Sequence, residues 1–204
     1  PQFSLAHASL GEAYRRKSVA ISDAALMAQA IAEVSEALRI DRNQPEIRLR
    51  LANIYRSTGR NGAAVEEIRR AMTDQPANDA AHRQLGDLLT SEGRPEEALA
   101  ELQRAVSLRP SYWRNYSSLG LFFMRTGRAA DAVAAFKREI ELRPADASPY
   151  QQLGSAYQTL GDRANARDNY QKAIAIAPNP GAYANLGMID YAEGRLEASV
   201  AVDA

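Results

Sequence analysis

The sequence predicts an all-α chain built from repeated antiparallel helical hairpins, and three observations predict it. Pro76, Pro110, Pro144 and Pro178 stand 34 residues apart. Two glycine series keep that period, Gly86, Gly120 and Gly154 in one and Gly59, Gly93, Gly127 and Gly161 in the other, as do Leu51, Leu85, Leu119 and Leu153 and also Ala64, Ala98, Ala132 and Ala166. No segment alternates apolar and polar residues as a strand would. A period of this length marks a unit that buries its apolar face only by stacking on its neighbours.

Each repeat reads in the same order. A first helix carries an interior Leu-Gly pair such as Leu85 and Gly86, where glycine costs about 1 kcal/mol relative to alanine. That cost makes sense where another chain segment must approach closely. Seven residues later Gly93, Gly127 and Gly161 supply the left-handed residue that ends the helix. The second helix places Ala98, Ala132 or Ala166 at a tight crossing with the first. Leu102, Phe136 or Tyr170 follows four residues later on the same face. Pro95, Glu96 and Glu97 open such a helix with proline and with carboxylates at its positive end. A terminal proline then stops it.

Full repeats are read at 45–78, 79–112 and 113–146, a repeat one residue short at 147–179, and an incomplete one at 180–204 carried by Tyr183, Leu186, Gly187 and Gly194. The first 44 residues form a divergent repeat. Leu10, Gly11 and Tyr14 match a first helix and Ala30, Val34 and Ala37 a second, with seven surplus residues between Tyr14 and Ala30. Two added helical turns would hold them without changing which side faces inward. The preferred reading is a longer loop over residues 18–23, with Ser22 capping a lengthened second helix that runs to about Arg39.

Composition narrows the function. Apolar residues at 46% and charged residues at 25% are enough for a packed core. Net charge is zero, so no global field favours nucleic acid or an anionic membrane. Without cysteine there is no disulfide framework, thiolate metal site or cysteine nucleophile. No stretch has the roughly 20 apolar residues that cross a bilayer. His7 and His82 occupy equivalent places in different hairpins, which argues against a catalytic pair, and no metal-ligand spacing or phosphate loop appears. The expectation is therefore no enzyme activity, no cofactor and no metal, in the cytoplasm rather than a membrane. Asn115 opens a glycosylation triplet by letter only, because it lies inside a first helix.

At this point the pattern of Tyr116, Leu119, Gly120, Phe123, Ala132, Phe136 and Pro144 resembles the tetratricopeptide repeat signature. The resemblance implies a right-handed α-solenoid, expected to form one domain over residues 1–204, and a protein-interaction scaffold. More loosely, residues 5–14 (LAHASLGEAY) and 109–113 (RPSYW) resemble repeat regions of bacterial multidomain signalling proteins, among them serine/threonine kinases. On that reading the chain is a regulatory or targeting segment of a larger enzyme, a kinase or a glycosyltransferase. The start at Pro1 without a signal-like segment leads us to expect that the chain begins inside a longer protein or after processing, and a last repeat that stops midway that it continues beyond Ala204.

In this family first helices line an inner, concave wall. Residues at their outward positions are the candidate peptide-binding set: Arg50, Asn53 and Arg56; Arg83, Gln84 and Asp87; Arg114, Ser117, Leu121, Met124 and Arg125; Gln151, Gln152, Ser155 and Gln158; Asn185, Met188 and Tyr191. Arginines hold carboxylates bidentately, amides bond an extended backbone, and Leu121 with adaptable Met124 offers an apolar seat. The partner expected is a protein or peptide with acidic and apolar residues. The family's carboxylate clamp is incomplete, since Asn53 and Arg114 match it but Leu49, Gln84 and Ser118 do not. The asparagine run of sugar-transferase superhelices is represented by Asn185 alone. Self-association through the C-terminal hairpin is a further reading.

Three residues of the later repeats depart from the pattern. Glu139 replaces the alanine seen at Ala71, Ala105 and Ala173, with space for its stem or an arginine partner as the alternatives. Asp190 replaces a large apolar residue, and Ser199 a small one. Trp113 either staples hairpins together or projects as an anchor.

Overall fold

The computed structural model describes residues 2–194. All regular structure among them is helical: α1 (Gln2–Ile21), α2 (Ala24–Ile40), α3 (Pro45–Ser57), α4 (Asn61–Asp74), α5 (Asp79–Ser91), α6 (Pro95–Leu108), α7 (Trp113–Arg125), α8 (Ala129–Leu142), α9 (Ala147–Thr159), α10 (Arg163–Ile176) and α11 (Pro180–Ala192). Contacts divide the chain into two compact units, Pro1–Arg109 and Pro110–Ala204. The first holds three hairpins, α1–α2, α3–α4 and α5–α6. The second holds α7–α8, α9–α10 and then α11. Ser199 and the rest of the last hairpin lie outside the described residues.

Past the first hairpin the repeat is regular, with first helices of 13 residues and second helices of 14. Gly93, Gly127 and Gly161 end first helices at φ 73°, 74° and 77°, a conformation that costs a side-chain-bearing residue about 1–2 kcal/mol. The mid-helix glycines mark contact points. A Cβ on Gly120 would lie 2.4 Å from Phe136 Cε1, and one on Gly154 2.7 Å from Tyr170 Cε1. On Gly11 it would lie 2.9 Å from the Ala30 carbonyl oxygen. Ala98, Ala132 and Ala166 are fully buried beside them.

The first hairpin differs from its sequence-based reading. The surplus residues are helical, not a loop: α1 runs five residues further past Tyr14 than α5 does past Leu89, and α2 is lengthened as expected, at 17 residues starting three earlier than its 14-residue counterparts. No glycine or proline interrupts residues 12–21, and Glu12 clamps Arg15 and Arg16 along the helix at 2.8 and 2.9 Å. Asp23, not Ser22, caps α2, accepting from the Ala25 and Leu26 amides. Ser22 instead takes the left-handed turn position at φ 54°. The helix end near Arg39 is as expected, since α2 closes at Ile40.

Packing follows the repeat. In the later first helices the third and tenth positions are buried, as Ala81 and Leu88 or Ala182 and Ile189 are. In α1 the corresponding Ala6 and Ala13 are exposed. Leu10, the counterpart of the buried Leu85, is 42% exposed.

Candidate functional site

The first-helix wall rests on a polar frame that repeats in step. The fourth residue of a first helix reaches back to the carbonyl six residues upstream. Arg48 Nη2 donates to Arg42 O at 2.6 Å, His82 Nε2 pairs with Pro76 O at 3.0 Å, and Tyr150 Oη donates to Pro144 O at 3.2 Å. The same position grips a second-helix carboxylate, through Arg48 with Glu67 at 3.3 Å, His82 with Glu101 at 2.6 Å and His7 with Glu33 at 2.6 Å. Both histidines are thus hairpin clasps. Their chemical diversity hid the rule, because arginine, histidine and tyrosine share only length and a polar tip.

On the first unit's wall, Arg50 and Arg56 are exposed and Asn53 is half-buried. Arg83 is largely covered and pairs with Asp87 at 3.6 Å, and neither Arg83 Nε nor Gln84 Oε1 has a hydrogen-bond partner. On the second unit's wall, Arg114 and Arg125 are exposed, Leu121 is 45% exposed and Met124 half-buried. Gln151 lies over the start of α11, its Nε2 2.8 Å from where a Gly181 Cβ would sit, and Gln152 Oε1 is buried without a partner. Asn185 is half-buried, while Met188 and Tyr191 are 60% and 72% exposed.

Three candidates face their own hairpin instead of an open wall. Ser155 Oγ lies 3.1 Å from Tyr170 Oη, which also donates to Gln158 Oε1 at 2.7 Å. Ser117 hydrogen-bonds the Glu139 carboxylate of α8. Tyr170 and Glu139 are buried polar groups that need partners, so they draw in the nearest hydroxyls and amides.

Among the described residues, arginines without an ion-pair partner stand on both walls and also outside them, as at Arg42, Arg69 and Arg104. Arg50, Arg56, Arg114 and Arg125 have no carboxylate within ion-pair distance, whereas most other arginines among the described residues, such as Arg15, Arg48, Arg94, Arg128 and Arg167, have one. Only Asp87 brings a negative charge to the candidate set, and Arg83 engages it. Each wall therefore carries uncompensated guanidinium groups.

The departures find local causes. Glu139 is 1% exposed, with Arg143 Nη1 3.7 Å from its Oε1. Burial pushes its carboxyl up to about 7, against the opposing pull of Ser117 and Arg143. Asp190 receives Arg167 at 2.5 Å, and Glu193 receives the other arm of that guanidinium. Trp113 lies between Arg143 at 3.5 Å and Arg114 at 5.0 Å from its ring, held within its own hairpin. Asn115 is fully buried on α7, which closes it to glycosylation.

Family models described as tetratricopeptide repeat match residues 49–112 and 83–147, and a further one matches 147–180. The chain belongs to the tetratricopeptide repeat family. Among solved structures, PilW, a widely conserved type IV pilus biogenesis factor, matches with a TM-score of 0.82 at 22% identity, over 98% of this chain and 90% of that one. TTC0263, a thermophilic repeat protein of Thermus thermophilus, matches at 0.69 and 20%, over 88% and 98%. A MamA structure matches at 0.62 and 25%, over 86% and 92%. No curated protein matches the chain. Tetratricopeptide repeat proteins are protein-interaction scaffolds. Among the described residues no group of three or more metal-ligand side chains comes together, and no helix is long and apolar enough to cross a membrane.

Proposed function

We propose that the first-helix walls hold an acidic, partly apolar segment of a protein partner. The observation that carries this is the set of four wall arginines without carboxylates. A guanidinium left unpaired on a face lined by amides, Leu121 and Met124 suits a carboxylate-bearing extended chain. On the second unit, Arg114 and Arg125 would hold acidic side chains while Leu121 and Met124 seat an apolar one. The double substitution Arg114→Ala/Arg125→Ala is expected to weaken capture of the partner about tenfold with unchanged helical circular dichroism. Raising salt should weaken the parent protein more than the variant. Full-strength capture by the variant would reject the reading.

A second reading, self-association, is favoured by α1, whose Phe3 and Leu5 are 76% and 57% exposed beside Ala6, Leu10 and Ala13. Light scattering should then show mass rising with concentration, and Leu10→Glu should remove the rise. A constant monomer mass in the parent protein would dismiss it.

A further inference from the structure

Two first helices of the first unit, α1 and α3, leave a polar notch between them. It measures about 410 Å³ and is lined by Ser9, Glu12, Ala13 and Arg16 from α1 and by Arg50 from α3. In the repeat register, where Leu10 stands for Leu85, Ser9 and Glu12 occupy the places of the wall residues Gln84 and Asp87. The notch therefore carries the wall of the first unit onto α1. Ser9, Ala13, Arg16 and Arg50 are all exposed.

The charges in the notch do not balance. Glu12 is the one acid of the lining, and both its oxygens are taken. Arg15 grips it with two arms, Nε on Oε2 and Nη2 on Oε1, each at 2.8 Å, so Arg15 alone offsets its charge. Arg16 Nε adds a bond to Oε1 at 2.9 Å, which steadies that guanidinium and leaves its terminal nitrogens uncommitted. Arg50 has no carboxylate within ion-pair distance. Two guanidinium charges, one from each helix, thus stand in surplus beside the Ser9 hydroxyl. A carboxylate would offset one of them. A phosphorylated side chain brings close to two negative charges and three acceptor oxygens, and guanidinium groups bond phosphate oxygens in pairs.

We propose that this notch holds the phosphate of a phosphorylated serine or threonine in a protein partner, with Arg16 and Arg50 as its clamp. The inference rests on the reading of the first-helix wall as a partner surface, and it gives the first unit a ligand chemistry of its own. A free phosphate ion would offer the same oxygens, but it lacks the flanking chain that the wall would contact.

The test titrates the full chain with the acetylated, amidated tripeptide Gly-phosphoserine-Gly and follows backbone amides by NMR. Saturable shifts are expected at Ser9, Ala13 and Arg50. The Asp counterpart of the peptide should bind roughly fivefold more weakly, and the unmodified Ser peptide should not saturate. Arg16→Gln and Arg50→Gln should each weaken the phosphopeptide roughly fivefold. Both positions are exposed, and Arg15 still holds Glu12 in either variant, so melting and circular dichroism should stay as in the parent. The proposal is overturned if Ser9 and Ala13 do not move, if the Asp peptide binds as tightly, or if either variant keeps full affinity. Inorganic phosphate binding as tightly as the phosphopeptide would also overturn it, leaving an adventitious ion only. The wall reading fails separately: a phosphopeptide that binds at Ser9 while Arg114→Ala/Arg125→Ala still captures the partner upholds the notch and rejects the wall of the second unit. Shifts confined to α7 would do the reverse.

Discussion

Gly120→Leu is expected to lower the melting midpoint by roughly 6–12 °C, the equivalent of about 3 kcal/mol in a chain of this size. A first atom at that position would lie 2.4 Å from Phe136 Cε1 and 2.7 and 2.8 Å from Cδ1 and Cζ. Phe136 is fully buried, so its ring has no open space to move into. Alanine would gain helix propensity, but its Cβ meets the same ring, so Gly120→Ala should also lose stability, by less. The contact is pairwise, which allows a stricter check. Phe136→Ala alone should cost about 3–5 kcal/mol. Added to Gly120→Leu, it should cost much less than the sum, because the leucine then fills the vacated volume. Strict additivity, or an unchanged midpoint for Gly120→Leu, would mean that the two helices do not cross here.

The hairpin framework was legible because its constraints are steric and recur. Gly120, Ala132 and Phe136 each answer one demand of the crossing, and that demand returns every 34 residues. The surplus in the first repeat was not legible in the same way. Seven residues preserve helical phase, so a longer helix and a longer loop satisfy the same pattern of Tyr14, Ala30 and Val34. Only the continuity of residues 12–21 and the Asp23 cap decide for the helix. On the wall, Arg50, Arg56, Arg114 and Arg125 are exposed. Ser117, Ser155 and Gln158 hydrogen-bond inward, because a hydroxyl or amide at the margin turns towards a buried partner. The partners, Glu139 and Tyr170, come from the second helix, and no first-helix pattern announces them.

Glu139→Gln is expected to stabilise the protein at pH 8 and to change it little near pH 4. The folded protein holds this carboxyl at about 7, against 4.5 for an unperturbed one, chiefly because burial penalises its charged form. A raised carboxyl pKa means that the folded state binds the proton more tightly than the unfolded state does. Below about pH 4.5 both states are protonated and burial of the neutral acid carries no ionisation penalty. As pH climbs from 4.5 to 7 stability is lost, and above 7 the loss is complete. Its full size is on the order of 3 kcal/mol. Glutamine keeps the shape without the charge. Arg143 would retain its bond to Asp146 and its stacking on Trp113, so removing a 3.7 Å contact leaves no stranded cation. Glu12, held down to about 2 by its hydrogen bond to Arg15, acts with the opposite sign. It adds stability above 4.5 that is lost as pH falls towards 2, equally in both proteins. Denaturant midpoints measured from pH 4 to 8 should therefore diverge steadily between parent and variant through the 4.5–7 window. Parallel profiles would show that Glu139 ionises as freely folded as unfolded, and that its burial is relieved by solvent.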